Sequence, residues 1–285
     1  MKSLFAWLKG GRAVATFAAL AAFTAQGTAQ NNEFQIIVTV TPPGSNTNPA
    51  SWQDVLRYMI AGTGGGAFAL SNIPKTQVFD PAGLAFRTER SLYIGNRHGN
   101  ALGLGSISRF ELSLDGQTAN YIDNFTTSGM VGVHELDFSP TTGELFASAV
   151  ANGIFRFKFS GSTPVPNGQI AAGTQTRGVM VSPGGNRLYV TSASNSIRQF
   201  AIAGDGSITP LATLFPPGAS NLHFFGRHPE GDIYVCDISS NKVYGYQVDA
   251  FGGMTLLYTI PSPAAVDCTF SPDGLEMYVG NHFNG

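Results

Sequence analysis

Short apolar segments alternate with turn-forming sequences along this chain, most clearly between residues 176 and 214. The apolar segments there read GVMV, RLYVT, SIRQFAI and ITPLATL, and the sequences between them read SPGGN, SASN and AGDGS. Apolar runs of this length separated by Gly, Pro, Asn and Ser are typical of strands joined by tight turns. The stretch therefore predicts one small antiparallel sheet of four strands.

The same pattern recurs along the chain at a nearly constant spacing. An apolar–aromatic pair in the second strand marks each copy: Leu92-Tyr93, Leu145-Phe146, Leu188-Tyr189, Ile233-Tyr234 and Met277-Tyr278. Successive pairs lie 53, 43, 45 and 44 residues apart. The third strand carries an apolar–x–x–aromatic pattern, as in Ile107 to Phe110. A period of about 45 residues with four strands per copy predicts an all-β fold, a β-propeller of four-stranded antiparallel blades.

The number of blades depends on how the two ends of the chain are used. The last copy shows only its first two strands, so residues 55–58 and 67–73 could supply strands three and four and close a ring of five blades. Alternatively, residues 34–41 are the second strand of a separate N-terminal copy, and the chain is a C-terminally truncated part of a ring of six or seven. We expect about six blades, with a range of about five to seven.

The N-terminal segment has the composition of a signal peptide. Lys2, Lys9 and Arg12 precede a short apolar run, residues 13–25, and Gly27-Thr28-Ala29 resembles a small-residue cleavage site. The apolar run is too short to span a membrane. We therefore predict a signal peptide over residues 1–29 and a single propeller domain over residues 30–285, exported to the periplasm or the medium, with no membrane span after signal removal.

Composition narrows the set of partners. Charged residues make up 12% of the chain and the formal net charge is -2. Because the chain contains no run of basic residues, nucleic acid is not an expected partner. A small-molecule ligand or a protein partner is expected instead, with the chain itself a monomer.

Three of the repeats resemble a known family. LYVTSASNSIRQF, IYVCDISSNKVYGY and FSPDGLEMYVGN are similar to the YVTN and NHL-type repeats of lactonase-like β-propellers, and the resemblance extends over residues 53–285. It implies a propeller fold and a ligand site on the central channel, in a family whose members include lactonases, lyases and binding scaffolds. Gluconolactonases of this type use acidic and amide side chains around a divalent cation, and Glu135 and Asp267 occupy comparable places.

Equivalent positions in the repeats identify a candidate site. The residue six positions before the turn proline is His134, Arg177 or His223 in three consecutive copies, and the following position holds Glu135 and Asp267 in two copies. These positions begin the innermost strand, so they should meet at one mouth of the central channel. The two His and the Arg are suited to an anionic or carboxylate-bearing ligand. With the two acids they could instead hold a divalent cation, although no metal site is assigned; alternatively, the histidines only hydrogen-bond the backbone of a neighbouring blade.

A second set of polar residues follows the aromatic position of the second strand by three residues. It comprises Asn96, Asp237 and Asn281, with His98 and His282 nearby. Asn and Asp at strand ends mostly serve turns, so we interpret this set as structural. The two cysteines, Cys236 and Cys268, lie in apolar strand patterns and are interpreted as buried thiols, with a disulfide as the alternative.

Two functional hypotheses follow. In the first, the chain is an exported propeller that binds a small polar or anionic ligand, or a partner, at the channel mouth. In the second, it is a lactone hydrolase of the 6-phosphogluconolactonase or gluconolactonase type, or a related lyase. His134, Arg177 and His223 would then lie near the reacting carbonyl, with one His as general base. A structural role as a cell-surface module is a third reading, and it requires the propeller to belong to a longer chain.

Overall fold

The computed structural model describes residues 16–24, 33–41, 54–61, 67–98, 104–171, 174–192 and 194–282. Every extended regular element within these ranges is a β-strand, and neighbouring strands of each sheet pair antiparallel. No helix in the same ranges is long and apolar enough to cross a membrane. The prediction of an all-β fold is therefore confirmed for the described part of the chain.

The sheets follow one another along the chain in sequence order. The N-terminal sheet contains β1 (Thr16–Thr24), β2 (Glu33–Thr41), β3 (Leu56–Ala61) and β4 (Ala67–Ala69). Blade I contains β5 (Pro81–Phe86), β6 (Ser91–Asn96), β7 (Ser106–Leu112) and β8 (Ala119–Phe125). Blade II contains β9 (Val133–Phe138), β10 (Leu145–Ala149), β11 (Gly153–Ser160) and β12 (Thr163–Ile170).

Two further blades and a shorter sheet complete the described fold. Blade III contains β13 (Thr176–Val181), β14 (Arg187–Ser192), β15 (Ile197–Ile202) and β16 (Ile208–Pro210). Blade IV contains β17 (Leu222–Arg227), β18 (Ile233–Asp237), β19 (Lys242–Val248) and β20 (Met254–Pro261). The C-terminal sheet contains β21 (Ala265–Phe270) and β22 (Met277–Asn281).

The prediction of about six blades is wrong for the described residues, in which four blades carry both the repeat motif and all four strands. The C-terminal sheet has two strands, and β2 of the N-terminal sheet lacks the apolar–aromatic pair of the repeat. Closure of a five-bladed ring by mixed ends is also wrong, because β3 pairs with β2 in a register that places Leu56 opposite Val38. Residues 34–41 thus belong to a separate N-terminal sheet, as the alternative interpretation expected.

Most of the predicted signal peptide, residues 1–15 and 25–29, lies outside the described residues. Its central part is β1, which pairs with β2 and lies against β5 and β21. Residues 16–24 thus have the sequence pattern of a signal peptide, and in the fold they occupy the position of an innermost strand of the N-terminal sheet. The sequence of the Gly64–Gly66 run is typical of a hairpin between strands, and this run also lies outside the described residues.

The repeat motif forms the apolar layers between blades. Tyr93 of blade I packs edge-to-face on Phe138 and Phe159 of blade II, with ring centroids 5.0 and 5.8 Å apart. The third-strand aromatic Phe157 of blade II contacts Phe125 of blade I at 5.1 Å. Aromatic pairs in this geometry add to the free energy gained by burying their area. The aromatic residues that mark the repeat in the sequence are therefore the residues that join one blade to the next.

The innermost strands approach one another unusually closely. A Cβ atom added to Gly83 on β5 would lie 2.2 Å from the carbonyl oxygen of His134 on β9. A Cβ atom on Gly226 of β17 would lie 2.5 Å from the carbonyl oxygen of Cys268 on β21. Since real Cβ atoms do not approach backbone this closely, glycine is required at both places. These contacts hold β5 close to β9 and β17 close to β21.

Gly83→Ala should lower the free energy of unfolding by about 1–3 kcal/mol, because the added methyl group forces two inner strands apart. Gly204→Ala is the matched control, since a Cβ atom there meets nothing within 4 Å, and it should change stability by less than about 0.5 kcal/mol. Urea unfolding of both variants measures the difference. Equal stability of the two variants would contradict the close packing of β5 against β9.

Candidate functional site

Three of the predicted site residues meet where the innermost strands begin. His134 lies on β9, Arg177 on β13 and His223 on β17, at the same position of three consecutive blades. The Arg177 guanidinium contacts Nε2 of His223. Both imidazoles pack against the ring of Phe224, with centroids 6.0 Å away for His134 and 5.5 Å for His223. Because the three residues hold equivalent positions in the repeat, their side chains lie together at one mouth of the channel.

Three further basic side chains surround this mouth, and the sequence analysis did not assign them to it. The charges of Arg97 and His98 act on His134, and those of Arg97 and His282 act on His223. Arg97 and His282 both follow the last residue of a second strand, in β6 and β22. That shared repeat position could have identified them, but it was interpreted only as a turn. We call the six side chains the cationic mouth: Arg97, His98, His134, Arg177, His223 and His282.

Asp80 holds part of the cationic mouth in place. Its carboxylate accepts a hydrogen bond from Nη2 of Arg97 at 2.7 Å and lies 3.0 Å from Nδ1 of His98. The Asp80 side chain is 1% exposed, and its backbone has a φ of 56°, in the left-handed region. Asp tolerates this conformation better than most residues. Asp80 therefore fixes one side of the mouth by turning the chain and by binding two of its basic groups.

The electrostatics of the mouth keep both central imidazoles neutral. Burial lowers the pKa of His134 well below its usual value, and the neighbouring basic side chains of Arg97, His223 and Arg177 lower it further. The pKa of His223 is also well below its usual value, because of burial and then the charges of Arg177 and His282. Nδ1 of each imidazole is buried and makes no hydrogen bond to any described residue. Two neutral imidazoles with unused nitrogens thus flank a cationic guanidinium.

The floor of the mouth is apolar. Phe224 is 2% exposed and packs with Ala82 of β5 and Val266 of β21, which are 1% and 3% exposed. Ile238 covers the same cluster from one side. The polar side chains of the mouth therefore lie against a buried apolar cluster.

Glu135 is turned away from the mouth and joins three inner strands. Its Oε2 accepts a hydrogen bond from the backbone N–H of Val179 on β13 at 2.6 Å. Its Oε1 accepts one from the backbone N–H of Phe225 on β17 at 3.0 Å. The residue is 7% exposed. Glu135 therefore joins β9 to the two inner strands that follow it.

Asp267 lies with Glu135 in a separate chamber of the channel. The chamber has a volume of about 230 Å³ and is also lined by Asp137 and Arg227. Burial raises the pKa of Glu135 well above its usual value, and the nearby Asp267 adds to the effect, against the two backbone hydrogen bonds. The five predicted residues therefore divide into a mouth group (His134, Arg177, His223) and a chamber group (Glu135, Asp267).

Asp137 and Arg227 line the chamber and are not among the site residues predicted from the sequence. Oδ2 of Asp137 accepts hydrogen bonds from the backbone N–H of Val181 at 2.7 Å and from Nη2 of Arg227 at 2.8 Å. Asp137 follows Glu135 by two residues, so strand alternation places both side chains on the same side of β9. That period of two is the signal that could have identified it. Among the described residues, no group of three His, Cys, Asp or Glu side chains is arranged to hold a metal ion.

The residues interpreted as turn-forming have structural partners. Asp237 accepts hydrogen bonds from the backbone N–H groups of Ser220, Asn221, Ser239 and Ser240 at 2.7–3.1 Å. Oδ1 of Asn96 accepts one from Phe79 N–H at 2.9 Å. Both side chains are 0% exposed. Their carboxylate and amide groups close loops, as expected for this set.

The fold and the position of the site define a β-propeller with a basic channel mouth. Among solved structures, the chain is similar to a periplasmic gluconolactonase from Pseudomonas aeruginosa (TM-score 0.63, 18% identity, 93% of this chain and 78% of that chain). It is also similar to a candidate 6-phosphogluconolactonase from Bacteroides uniformis ATCC 8492 (TM-score 0.64, 15% identity, 89% and 76%). A third similar structure is virginiamycin B lyase from Staphylococcus aureus (TM-score 0.57, 14% identity, 94% and 78%).

These similarities confirm the expected resemblance to lactonase-like propellers at the level of the fold. At such low identity they carry no assignment of activity to this chain. No protein-family model and no curated relative matches the sequence.

Glu135→Ala should lower the free energy of unfolding by about 2–4 kcal/mol, because two buried backbone N–H groups lose their acceptor. Glu230→Ala is the control, since Glu230 is exposed and its removal should cost less than about 0.5 kcal/mol. Urea unfolding at neutral pH measures both. A Glu135→Ala variant as stable as the control would show that this carboxylate does not join the inner strands.

The depressed pKa values of His134 and His223 predict a loss of stability on mild acidification. The unfolded chain takes up protons at these side chains below a pH of about 6.5, whereas the folded protein does so only at lower pH. Their contribution is therefore complete above the unfolded pKa and is lost as the pH falls towards the folded values. Urea unfolding across this range should show a steeper pH dependence for wild type than for a His134→Gln/His223→Gln variant; parallel curves would contradict the neutral imidazoles.

Proposed function

We propose that this chain is an exported β-propeller that binds a small anionic ligand, of the sugar-acid class, in the cationic mouth. The observation that carries the proposal is the convergence of His134, Arg177 and His223 around unused buried nitrogens. Within the described residues Arg177 forms no ion pair, whereas Arg97 is neutralised by Asp80. An anion beside Arg177 would supply the acceptor that the guanidinium and both imidazoles require.

The chemistry of the mouth indicates the class of ligand. A carboxylate or phosphate group matches Arg177, and the Nδ1 atoms of His134 and His223 can donate to or accept from hydroxyl groups. The apolar floor at Phe224 suits the C–H face of a sugar ring. The names of two similar structures, a gluconolactonase and a candidate 6-phosphogluconolactonase, agree with ligands of this kind.

Lactone hydrolysis is the second candidate function, and the placement of His134 and His223 around Phe224, with Arg177 in contact with His223, favours it. A neutral His134 or His223 can accept a proton from the water that attacks a lactone carbonyl. Arg177 lies beside His223 and can stabilise the oxyanion that forms. The ring-opened product is a hydroxy acid, which is the anionic class that the mouth is proposed to bind.

Arg177→Gln should weaken the binding of gluconate or 6-phosphogluconate at least about 10-fold, because a charge-assisted hydrogen bond contributes about 1.5–3 kcal/mol. Isothermal titration calorimetry measures the affinity. Arg198→Gln is the matched control, because Arg198 donates to Thr174 and lies against Phe200 on blade III. Failure of the folded wild-type protein to bind either acid would contradict the proposal, as would equal effects of the two variants.

The same proteins decide between binding and hydrolysis. Wild-type protein is incubated with gluconolactone and 6-phosphogluconolactone, with and without a chelator, beside the His134→Gln/His223→Gln variant. Turnover by wild type that falls at least about 100-fold in the variant identifies an enzyme with a histidine base. Binding of the acids without turnover of the lactones leaves a ligand-binding propeller, and chelator sensitivity would show that a divalent cation takes part.

Export is tested by the N-terminus of the protein recovered from the native host. Cleavage after Ala29 should give a chain that begins at Gln30, found in the periplasm or the medium. Edman sequencing or intact mass measures this directly. A chain recovered with residues 16–24 attached would contradict export by cleavage and would retain β1 as a strand of the propeller.

A further inference from the structure

The two cysteines belong to different sheets but share one buried cluster. Cys236 lies on β18 of blade IV and is 0% exposed, and Cys268 lies on β21 of the C-terminal sheet and is 1% exposed. Both pack with Tyr234, Val243 and Phe270 at the interface between the two sheets. They are the only cysteines of the chain, and both are free thiols.

The repeat shows in which direction Cys236 points. Ser148 and Thr191 occupy the same place as Cys236, three residues after the first residue of the apolar–aromatic pair. The Ser148 hydroxyl donates to the carbonyl oxygen of Arg177 on the next inner strand at 2.5 Å, and the Thr191 hydroxyl donates to that of His223 at 2.6 Å. A side chain at this place therefore reaches across to the next inner strand, which for Cys236 is β21.

The sulfur of Cys268 points in the opposite direction, towards blade IV. A Cβ atom on Gly226 of β17 would lie 2.5 Å from Sγ of Cys268. Gly226 is paired with Tyr234 of β18, and Cys236 is two residues further along that strand. Phe225 occupies the same repeat position as Cys268, one blade earlier. A Cβ atom on Gly178 would lie 2.9 Å from the Phe225 ring and 2.7 Å from the Thr191 hydroxyl. The same two repeat positions thus lie close together at the interface of blades III and IV.

We propose that Cys236 and Cys268 form a disulfide that fastens the C-terminal sheet to blade IV. A covalent bond from β18 to β21 would join blade IV to the C-terminal sheet at the interface where both thiols are buried. The proposal is independent of the ligand at the cationic mouth.

The oxidation requires a disulfide as co-reactant, and oxidised glutathione is the simplest. One cysteine thiolate attacks a glutathione sulfur, forms a mixed disulfide and releases one glutathione thiolate. The second cysteine thiolate attacks the sulfur of the first cysteine, forms the Cys236–Cys268 bond and releases a second glutathione. Two cysteine protons are transferred to the released glutathiones, and the two electrons reduce the glutathione disulfide.

Burial determines the rate of this reaction in the folded protein. Burial raises the pKa of the Cys236 thiol well above its usual value, and a hydrogen bond with Cys268 raises it further. The reactive thiolate is therefore scarce at neutral pH. Oxidation should be slow in the native protein and fast during folding, before the interface closes.

The test is to refold the full chain from urea with oxidised or with reduced glutathione and to compare the products. After oxidation, a thiol-reactive chromophore in denaturant should find no free thiol, and the intact mass should fall by two hydrogens. The melting temperature should exceed that of the reduced protein by about 5 °C, because the bond closes a loop of about 30 residues. Hydrogen exchange of β21 and β22 should be slower in the oxidised protein.

Cys236→Ser is the control for effects of the buffer. The same treatment should leave one thiol, free or joined to glutathione, and should not raise the melting temperature. Two thiols that stay free, or two glutathione adducts, in the refolded wild-type protein would overturn the proposal. A disulfide that forms but leaves the melting temperature and the exchange of β21 unchanged would also overturn the proposed stabilising role.

Discussion

The inner ring of this propeller depends on one buried carboxylate. Glu135 accepts backbone hydrogen bonds from β13 and β17 while it belongs to β9, so a single side chain sets the spacing of three successive inner strands. A carboxyl group in the centre of a protein is costly unless such partners are present. Asp137 repeats the arrangement two residues later with Val181 and Arg227. The closely packed glycines of the inner strands make this spacing short enough for the bonds to form.

The same narrow ring separates two polar environments along the channel. On one side of Phe224, Ala82 and Val266 lies the cationic mouth, and the acidic chamber is formed by residues further along the same strands. In the chamber the charged groups are bound to backbone N–H groups and to each other. At the mouth, Nδ1 of His134 and Nδ1 of His223 make no hydrogen bond to any described residue. The mouth, and not the chamber, therefore has buried imidazole nitrogens that lack a hydrogen-bond partner among the described residues. This difference is the basis of the functional proposal.

Much of the fold could be predicted because the repeat makes sequence position equivalent to position in the ring. The aromatic pair at Leu188-Tyr189 and its equivalents located the second strands, and the turn proline located His134, Arg177 and His223 at one level of the channel. The direction in which a side chain points was harder to predict from the sequence than the position of its strand. Glu135 follows His134 directly, and only the packed structure shows that its carboxylate reaches two other strands. Arg97 and His282 were not predicted as site residues, because the residues that follow the second strand were interpreted only as a turn. The blade count failed because β2 of the N-terminal sheet lacks the apolar–aromatic pair of the repeat and the C-terminal sheet has two described strands.

A crystal structure of the protein soaked with 6-phosphogluconate or gluconate would show most directly whether the cationic mouth binds a sugar acid. The account predicts the acid group beside Arg177, within hydrogen-bonding distance of the guanidinium, with its hydroxyls against Nδ1 of His134 or His223 and its carbon chain over Phe224. Ordered ligand in the acidic chamber, or a mouth that stays empty of the acid at saturating concentration, would contradict it.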